Sequence, residues 1–227
     1  MGDEARAGEF AARQVDGVLI LPGAKPADPA KLNQVGIPWL QLNTSHAQAG
    51  VGSVGVDLFA GAREATAHLI SHDYGTVAFV GELPPDEPRR LGWVQALREA
   101  GLRTDLVLDY PMTREGGHQA GLEIARMRPR ARAVFVACDR MAVGVLRGLH
   151  ETSVEIPGDV AIVSFDGSWE GAYSWPALSS LRQPIDQMAE RSVARLIAPP
   201  TEIPVHESFH GTLILRESCG PHRDAAT

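Results

Sequence analysis

The 227-residue chain predicts an α/β protein built on parallel sheets and arranged as two lobes, the second far more complete than the first. Three observations carry this. The run VAIVSFD, Val160 to Asp166, is apolar without polar alternation and so reads as a strand buried on both faces, under helices. From Asp57 to Asp166 strand-like and helix-like segments alternate with short connections, the signature of right-handed βαβ units. After Asp166 the alternation breaks, with a longer loop, GSWEGAYSWPALSS, before a short strand and one more helix.

In chain order, Glu4 to Gln14 reads as a short helix with Phe10 and Val15 near its apolar side. VDGVLILPG gives a strand over Gly17 to Leu21, stopped by Pro22-Gly23. Lys31 to Val35 fits a short helix closed by Gly36, and IPWLQLN is the next strand, ending in Asn43 and Thr44. Leu58, Ala62, Ala65, Leu69 and Ile70 recur at helical spacing after Asp57, and this helix stops near His72 to Gly75. The strand TVAFVG and a proline-rich loop, Leu83 to Pro88, lead to a helix from Arg89 to Ala100 with Gly101 as its stop. LVLDYP is a strand, Gly117 to Met127 a helix, AVFVAC a strand and Met141 to His150 a helix before VAIVSFD. A strand around Leu181 to Gln183 follows the long loop. Pro184, a good first-turn residue, then opens a helix to about Ile197. A final strand spans Gly211 to Leu215.

A hydrophobic share of 44% with 22% charged residues is ordinary for a soluble globular protein. The net charge of −7 argues against this chain itself gripping nucleic acid, which needs clustered Lys and Arg. The one basic run, Arg126 to Arg132, sits where a helix ends and complements its dipole. No apolar stretch has the length of a membrane span, and the N-terminus has no signal pattern. Cys138 and Cys219 lack short-spaced partners, which gives no disulfide or zinc framework and suits a reducing cytosol. A cytoplasmic protein without membrane partners is expected.

In parallel sheets the ligand crevice lies beyond the carboxyl ends of the strands, where Asp166 stands. Asp-Gly is also a common turn pair, so Asp166 has a capping role and a ligand role open to it. The other strand ends offer Pro22, Asn43, Glu82 and Cys138, with Arg89, Arg90, Met112 and Thr113 nearby in sequence. A carboxylate, arginines and apolar side chains suit a small polar ligand with an apolar face, such as a sugar or nucleoside. Catalytic and metal alternatives are thinner. No histidine is placed beside Cys138-Asp139 to activate a nucleophile. His68 and His72 stand four apart on a helix as half a metal site, and without a third ligand in register they read as a surface pair. His206 and His210 share that spacing in an extended segment. GGHQAG departs from the dinucleotide fingerprint. Trp39, Trp93 and Trp175 read as core or loop anchors, whereas Trp169 directly follows the Asp166 turn. No catalytic residue, cofactor or metal is expected.

An ordered series of segments then resembles a known family. VDGVLILP, AREATAHLISHDYGTVAFVG, the R-R-L-G-W segment, AVFVACDRMAVGVLRGLHETSVEIPGDVAIVSFDG, PALSSLRQPIDQMAERSVARL and LILRESC together resemble the effector-binding core of LacI/GalR-family transcription regulators, from about Val15 to Cys219. The resemblance implies a periplasmic-binding-protein-like (type I) pair of doubly wound parallel-sheet lobes closing on a small molecule, and a homodimer. It places the N-terminal lobe at 1–54 plus 184–210, the C-terminal lobe at 55–183 plus 211–220, and a tail at 221–227. It implies that Arg89 reaches ligand hydroxyls or carboxylates and that Asp166 accepts bonds from ligand hydroxyls. Met112 falls where the family often has a stacking aromatic, and Gln183 and Ile185 fall on positions that line the cleft. Cys138 stands where many sugar-responsive members have Asn, beside the acid matched by Asp139, and Gly167 replaces a common second acid. Trp169 completes the expected ligand-binding set.

The family's DNA-binding helix-turn-helix, hinge helix and first strand–helix–strand precede the point where the resemblance begins. The N-terminal lobe is therefore expected to be incomplete, with unpaired strand edges, and operator DNA to be engaged only through a segment outside this sequence. Two other readings share the fold class: a solute-binding protein of an uptake system, and an α/β enzyme such as a Cys138-dependent hydrolase.

Overall fold

The computed structural model describes residues 15–21, 34, 36–44, 51–197 and 206–220. The helix expected over Glu4 to Gln14, most of that over Lys31 to Val35, and the 221–227 tail lie outside the described residues. The strands are β1 (Val18–Ile20), β2 (Trp39–Leu42), β3 (Ser53–Val56), β4 (Val77–Val80), β5 (Val107–Leu108), β6 (Ala133–Val136), β7 (Ala161–Asp166), β8 (Ser179–Arg182), β9 (His206–Phe209) and β10 (Thr212–Ile214). The helices are α1 (Leu58–Ile70), α2 (Pro88–Glu99), α3 (Arg114–Arg126), α4 (Asp139–Glu151) and α5 (Ile185–Ile197), with short 3-10 turns at Trp169–Tyr173 and Glu217–Cys219. The chain divides into two compact units, one of Met1–Asp57 with Pro184–His210 and one of Leu58–Gln183 with Gly211–Thr227.

The smaller unit holds a parallel sheet in the order β1-β2-β3-β9. Among the described residues β1 is an edge strand with β2 as its neighbour. Two of its four strands were not anticipated. SVGV forms the fully buried β3, and His206 to Phe209, read from sequence only as an extended segment, forms β9 alongside it. The pairing is reinforced by a 2.8 Å hydrogen bond between Ser53 Oγ and His206 Nδ1. Helix α5 buries Met188 and Ser192, and Arg195 donates to the Ser53 carbonyl at 3.1 Å.

The larger unit holds six strands in the order β10-β8-β7-β6-β4-β5, parallel except for the antiparallel β10–β8 pair. Side chains alternate across this sheet, as strand geometry requires. Ala78, Val80, Val134, Val136 and Ile162 pack with Ile124 of α3 and with Met141, Val145 and Leu149 of α4. On the opposite face Phe79 meets Phe135 and Trp93 of α2 at ring separations of 5.9 and 5.6 Å, and Phe165 lies against Gly61 of α1. With both faces covered, every residue of β4 and β6 is buried, which is why those strands carry no polar alternation.

Sheet order places β4 between β5 and β6, so the connection from β4 to β5 runs to one side and that from β5 to β6 runs back past β4 to the other. That reversal is a topological switch point, and it opens at the carboxyl ends of β4 and β6. The helices that follow start earlier than helical periodicity alone indicates. α3 begins at Arg114 rather than Gly117 because the Thr113 hydroxyl accepts from Gly116 N at 3.0 Å and caps it. α4 begins at Asp139 rather than Met141, with Cys138 as its N-cap residue. LVLDYP contributes only the two-residue β5. Among the described residues no helix is long and apolar enough to cross a membrane.

Candidate functional site

At the end of β7 the backbone turns sharply. Asp166 has φ of 117°, a region a non-glycine residue occupies only when its surroundings enforce it. The main-chain carbonyl of Asp166 accepts from Gln183 N at 3.1 Å, and its Oδ1 accepts from Gln183 Nε2 at 2.7 Å. Gln183 Oε1 is buried with no hydrogen-bond partner among the described residues, so an unmet acceptor stands on the amide that holds Asp166. Gly167 follows with φ of 69°, and a Cβ there would stand 2.3 Å from Arg182 Cα. No side chain fits at this position without moving the backbone.

Burial pushes the Asp166 carboxyl up to about 6, and the negative charge of Asp139 adds to this. The Arg89 guanidinium and the Gln183 amide work in the opposite direction. Arg89 is the second residue of α2, whose N-cap Glu87 accepts from the Arg89 and Arg90 amides at 2.8 and 3.3 Å. Its side chain is pinned as well: Nε donates to Glu87 at 2.8 Å and Nη1 donates to the Ala137 carbonyl at 2.9 Å. The guanidinium lies 5.8 Å from the centre of the Phe165 ring, in cation–π range beside Asp166.

Asp139, expected beside Cys138 among the ligand contacts, faces the protein instead. It is 2% exposed. Its Oδ1 accepts from the Ser164 and Ser180 hydroxyls at 2.5 and 2.6 Å, and its Oδ2 accepts from the Ser168 amide at 2.5 Å. One carboxylate thereby ties α4 to β7, to β8 and to the turn that carries Asp166. Ser164 and Ser180, within β7 and β8, are the partners that sequence reading passed over. The available signal was a hydroxyl inside otherwise apolar strands, which demands a buried partner. Cys138 is 5% exposed, and burial raises its thiol pKa, with the Asp166 charge adding to the effect.

Met112 is half-buried against the α3–α4 side of the core, and its carbonyl accepts from Arg140 at 2.8 Å. Trp169 is 74% exposed on the 3-10 turn, edge-on to Tyr173 at 5.8 Å. Ile185 belongs to the smaller unit, at the first position of α5, and is 53% exposed. The structure thus gathers Asp166, Gln183, Arg89, Cys138 and Asp139 at one edge of the larger unit's sheet.

The family described as "Periplasmic binding protein-like domain" matches residues 66–219. The HTH-type transcriptional regulator CelR of Thermobifida fusca is 31% identical over 229 residues, which is 95% of this chain and 66% of that protein. This chain therefore spans slightly less than two thirds of that regulator. A solved structure of a transcriptional regulator CelR–cellobiose complex is similar with a TM-score of 0.80 and 30% identity, over 95% of this chain and 69% of the other. A LacI family transcriptional regulator from Enterococcus faecium, solved with bound ribose, has a TM-score of 0.84 at 27% identity, over 98% of this chain and 86% of the other. The switch-point crevice, the paired parallel sheets and these likenesses converge: the chain belongs to the periplasmic-binding-protein-like family and corresponds to the effector-binding core of LacI-family transcriptional regulators.

Proposed function

We propose that the strand-end edge of the larger unit binds a neutral, sugar-like effector, and that the protein serves as the effector-binding and dimerisation core of a cytoplasmic regulator acting on operator DNA. The observation that carries the ligand class is the strained, half-buried Asp166 with Gln183 Oε1, partnerless among the described residues, beside it. Both groups are acceptors when Asp166 is ionised, so they call for hydroxyl donors. Arg89 supplies a donor of opposite character, which suits a hydroxyl oxygen on the same ligand. A second carboxylate, Asp139, lies close enough to raise the Asp166 pKa, and it makes the edge unfavourable for an anion. The relatives solved with cellobiose and with ribose support the same class.

Effector binding changes the balance between conformations only through different affinities for them, and operator affinity follows by linkage. Trp169, Tyr173 and Trp175 are 74%, 82% and 81% exposed. Three neighbouring large aromatics left in water favour self-association over contact with one small ligand. The enzyme reading finds no support at Cys138, because burial keeps its sulfur protonated rather than activated. Calorimetry with monosaccharides, disaccharides and nucleosides tests the assignment. Arg89→Ala and Asp166→Ala each weaken the best ligand at least tenfold on this account, and unchanged affinity in both variants defeats it.

A further inference from the structure

The backbone that follows β7 is held at three successive groups. The Asp166 carbonyl accepts from Gln183 N at 3.1 Å, Gly167 N donates to the Ser180 hydroxyl at 3.0 Å, and Ser168 N donates to Asp139 Oδ2 at 2.5 Å. Asp139 governs the last two. Its Oδ1 takes the Ser180 proton at 2.6 Å, which leaves a Ser180 lone pair for the Gly167 amide. Ser168 opens the 3-10 turn with no side-chain cap of its own, so its amide is where the turn is grasped. We propose that Asp139 is a positioning residue for the effector: it touches no ligand, yet affinity depends on it because it holds the turn that aims Asp166. The inference rests on the assignment of Asp166 as the residue that binds the effector.

Three donors converge on this side chain, the hydroxyls of Ser164 and Ser180 on Oδ1 and the Ser168 amide on Oδ2. Only an ionised carboxylate accepts on both of its ends. Asparagine keeps one acceptor oxygen and sets an NH2 group against either the serines or the Ser168 amide. The turn needs this hold, because a non-glycine residue at φ of 117° keeps that conformation only while its surroundings enforce it. Groups fixed before a ligand arrives spare it the cost of ordering them. The Asp139 main-chain amide also supports the ionised Asp166 carboxylate, so the same residue steadies both that side chain and the backbone behind it.

Position and charge are separable. The Asp139 charge acts on the effector through the protonation of Asp166, whose midpoint lies at about 6. At pH 7.5 Asp166 is ionised with or without that charge, so a loss of affinity there reports position. Ser180→Ala releases the Gly167 amide and keeps the Asp139 charge. Arg89 and Cys138, the other charged and titratable neighbours of Asp166, are left intact in both variants.

Calorimetry on the full chain tests the proposal, using a panel of monosaccharides and disaccharides that includes cellobiose and ribose, with the tightest binder as probe. Asp139→Asn is expected to weaken the probe at least tenfold at pH 7.5 and to lower the pH midpoint of binding. Ser180→Ala is expected to weaken it about threefold or more with the midpoint unmoved. Ser218→Ala removes a buried serine that donates to the Ile162 carbonyl, and it leaves affinity within twofold. Thermal melts establish that each variant is folded, and Ser180→Ala carries the test where Asp139→Asn is not. Native affinity in either folded variant, while Asp166→Ala loses at least tenfold, overturns the proposal and leaves the Asp166 assignment standing. Native affinity in Asp166→Ala, or no heat from any sugar with the native chain, overturns both.

Discussion

Asp166 joins a backbone φ of 117° to a carboxyl pushed up from 3.8 to about 6, so the residue proposed to hold the ligand also costs stability. Because the folded state binds its proton more tightly than the unfolded chain, the benefit is complete below about pH 4 and is lost as pH rises to about 6. The shift corresponds to about 3 kcal/mol. Asp166→Asn, uncharged throughout, abolishes this fall. Urea melts are expected to show it more stable than the native chain at pH 7.5 by about 1–3 kcal/mol, with the gap closing at pH 4. Asp139→Asn removes the neighbouring charge that raises Asp166, so the pH midpoint of effector binding moves down; NMR titration of the Asp166 carboxyl checks this. Asp166 was legible in the sequence because an acid ending an apolar run needs only local reading. The inward hydrogen bonds of Asp139 were not legible because its partners Ser164, Ser168 and Ser180 lie 25 to 41 residues further along, and only the fold brings them to it.

At the scale of elements, the strands buried on both faces were the easiest to read, since unbroken apolar runs such as AVFV leave no other assignment. β3 and β9 were hidden. Their sequences, SVGV and HESF, mix glycine, serine and charge, and they become strands through pairing with each other and with β2 rather than through intrinsic preference. The α3–α4 pair was legible as two helices but not as a contact. A Cβ on Gly144 would stand 2.0 Å from the Arg114 carbonyl oxygen, and one on Gly117 2.0 Å from that of Met141, so the two backbones touch. Gly144→Ala gains about 1 kcal/mol of helix propensity. It is nevertheless expected to lose about 2 kcal/mol or more net, because backbone has to move aside; denaturant melts give the sign.

At the scale of the whole molecule, two units share one chain that leaves the larger after β8 and re-enters it before β10. Alternation of strands and helices indicated the larger unit directly, while the return of β9 to the smaller sheet depends on contacts between residues some 150 positions apart. The exposed aromatics bear on assembly. Trp169→Ser combined with Tyr173→Ser is expected to weaken self-association at least tenfold in sedimentation equilibrium while leaving effector affinity within about twofold; the reverse pattern places Trp169 on the ligand instead.

The central claim is that an ionised Asp166 accepts hydrogen bonds from the effector, and its carboxyl titration in the free and sugar-saturated protein tests that most directly. The account predicts a midpoint near 6 in the free protein that falls by at least one pH unit on saturation with the sugar selected by calorimetry, because the ligand favours the ionised form. A midpoint unmoved by saturating sugar, or raised by it, contradicts the account.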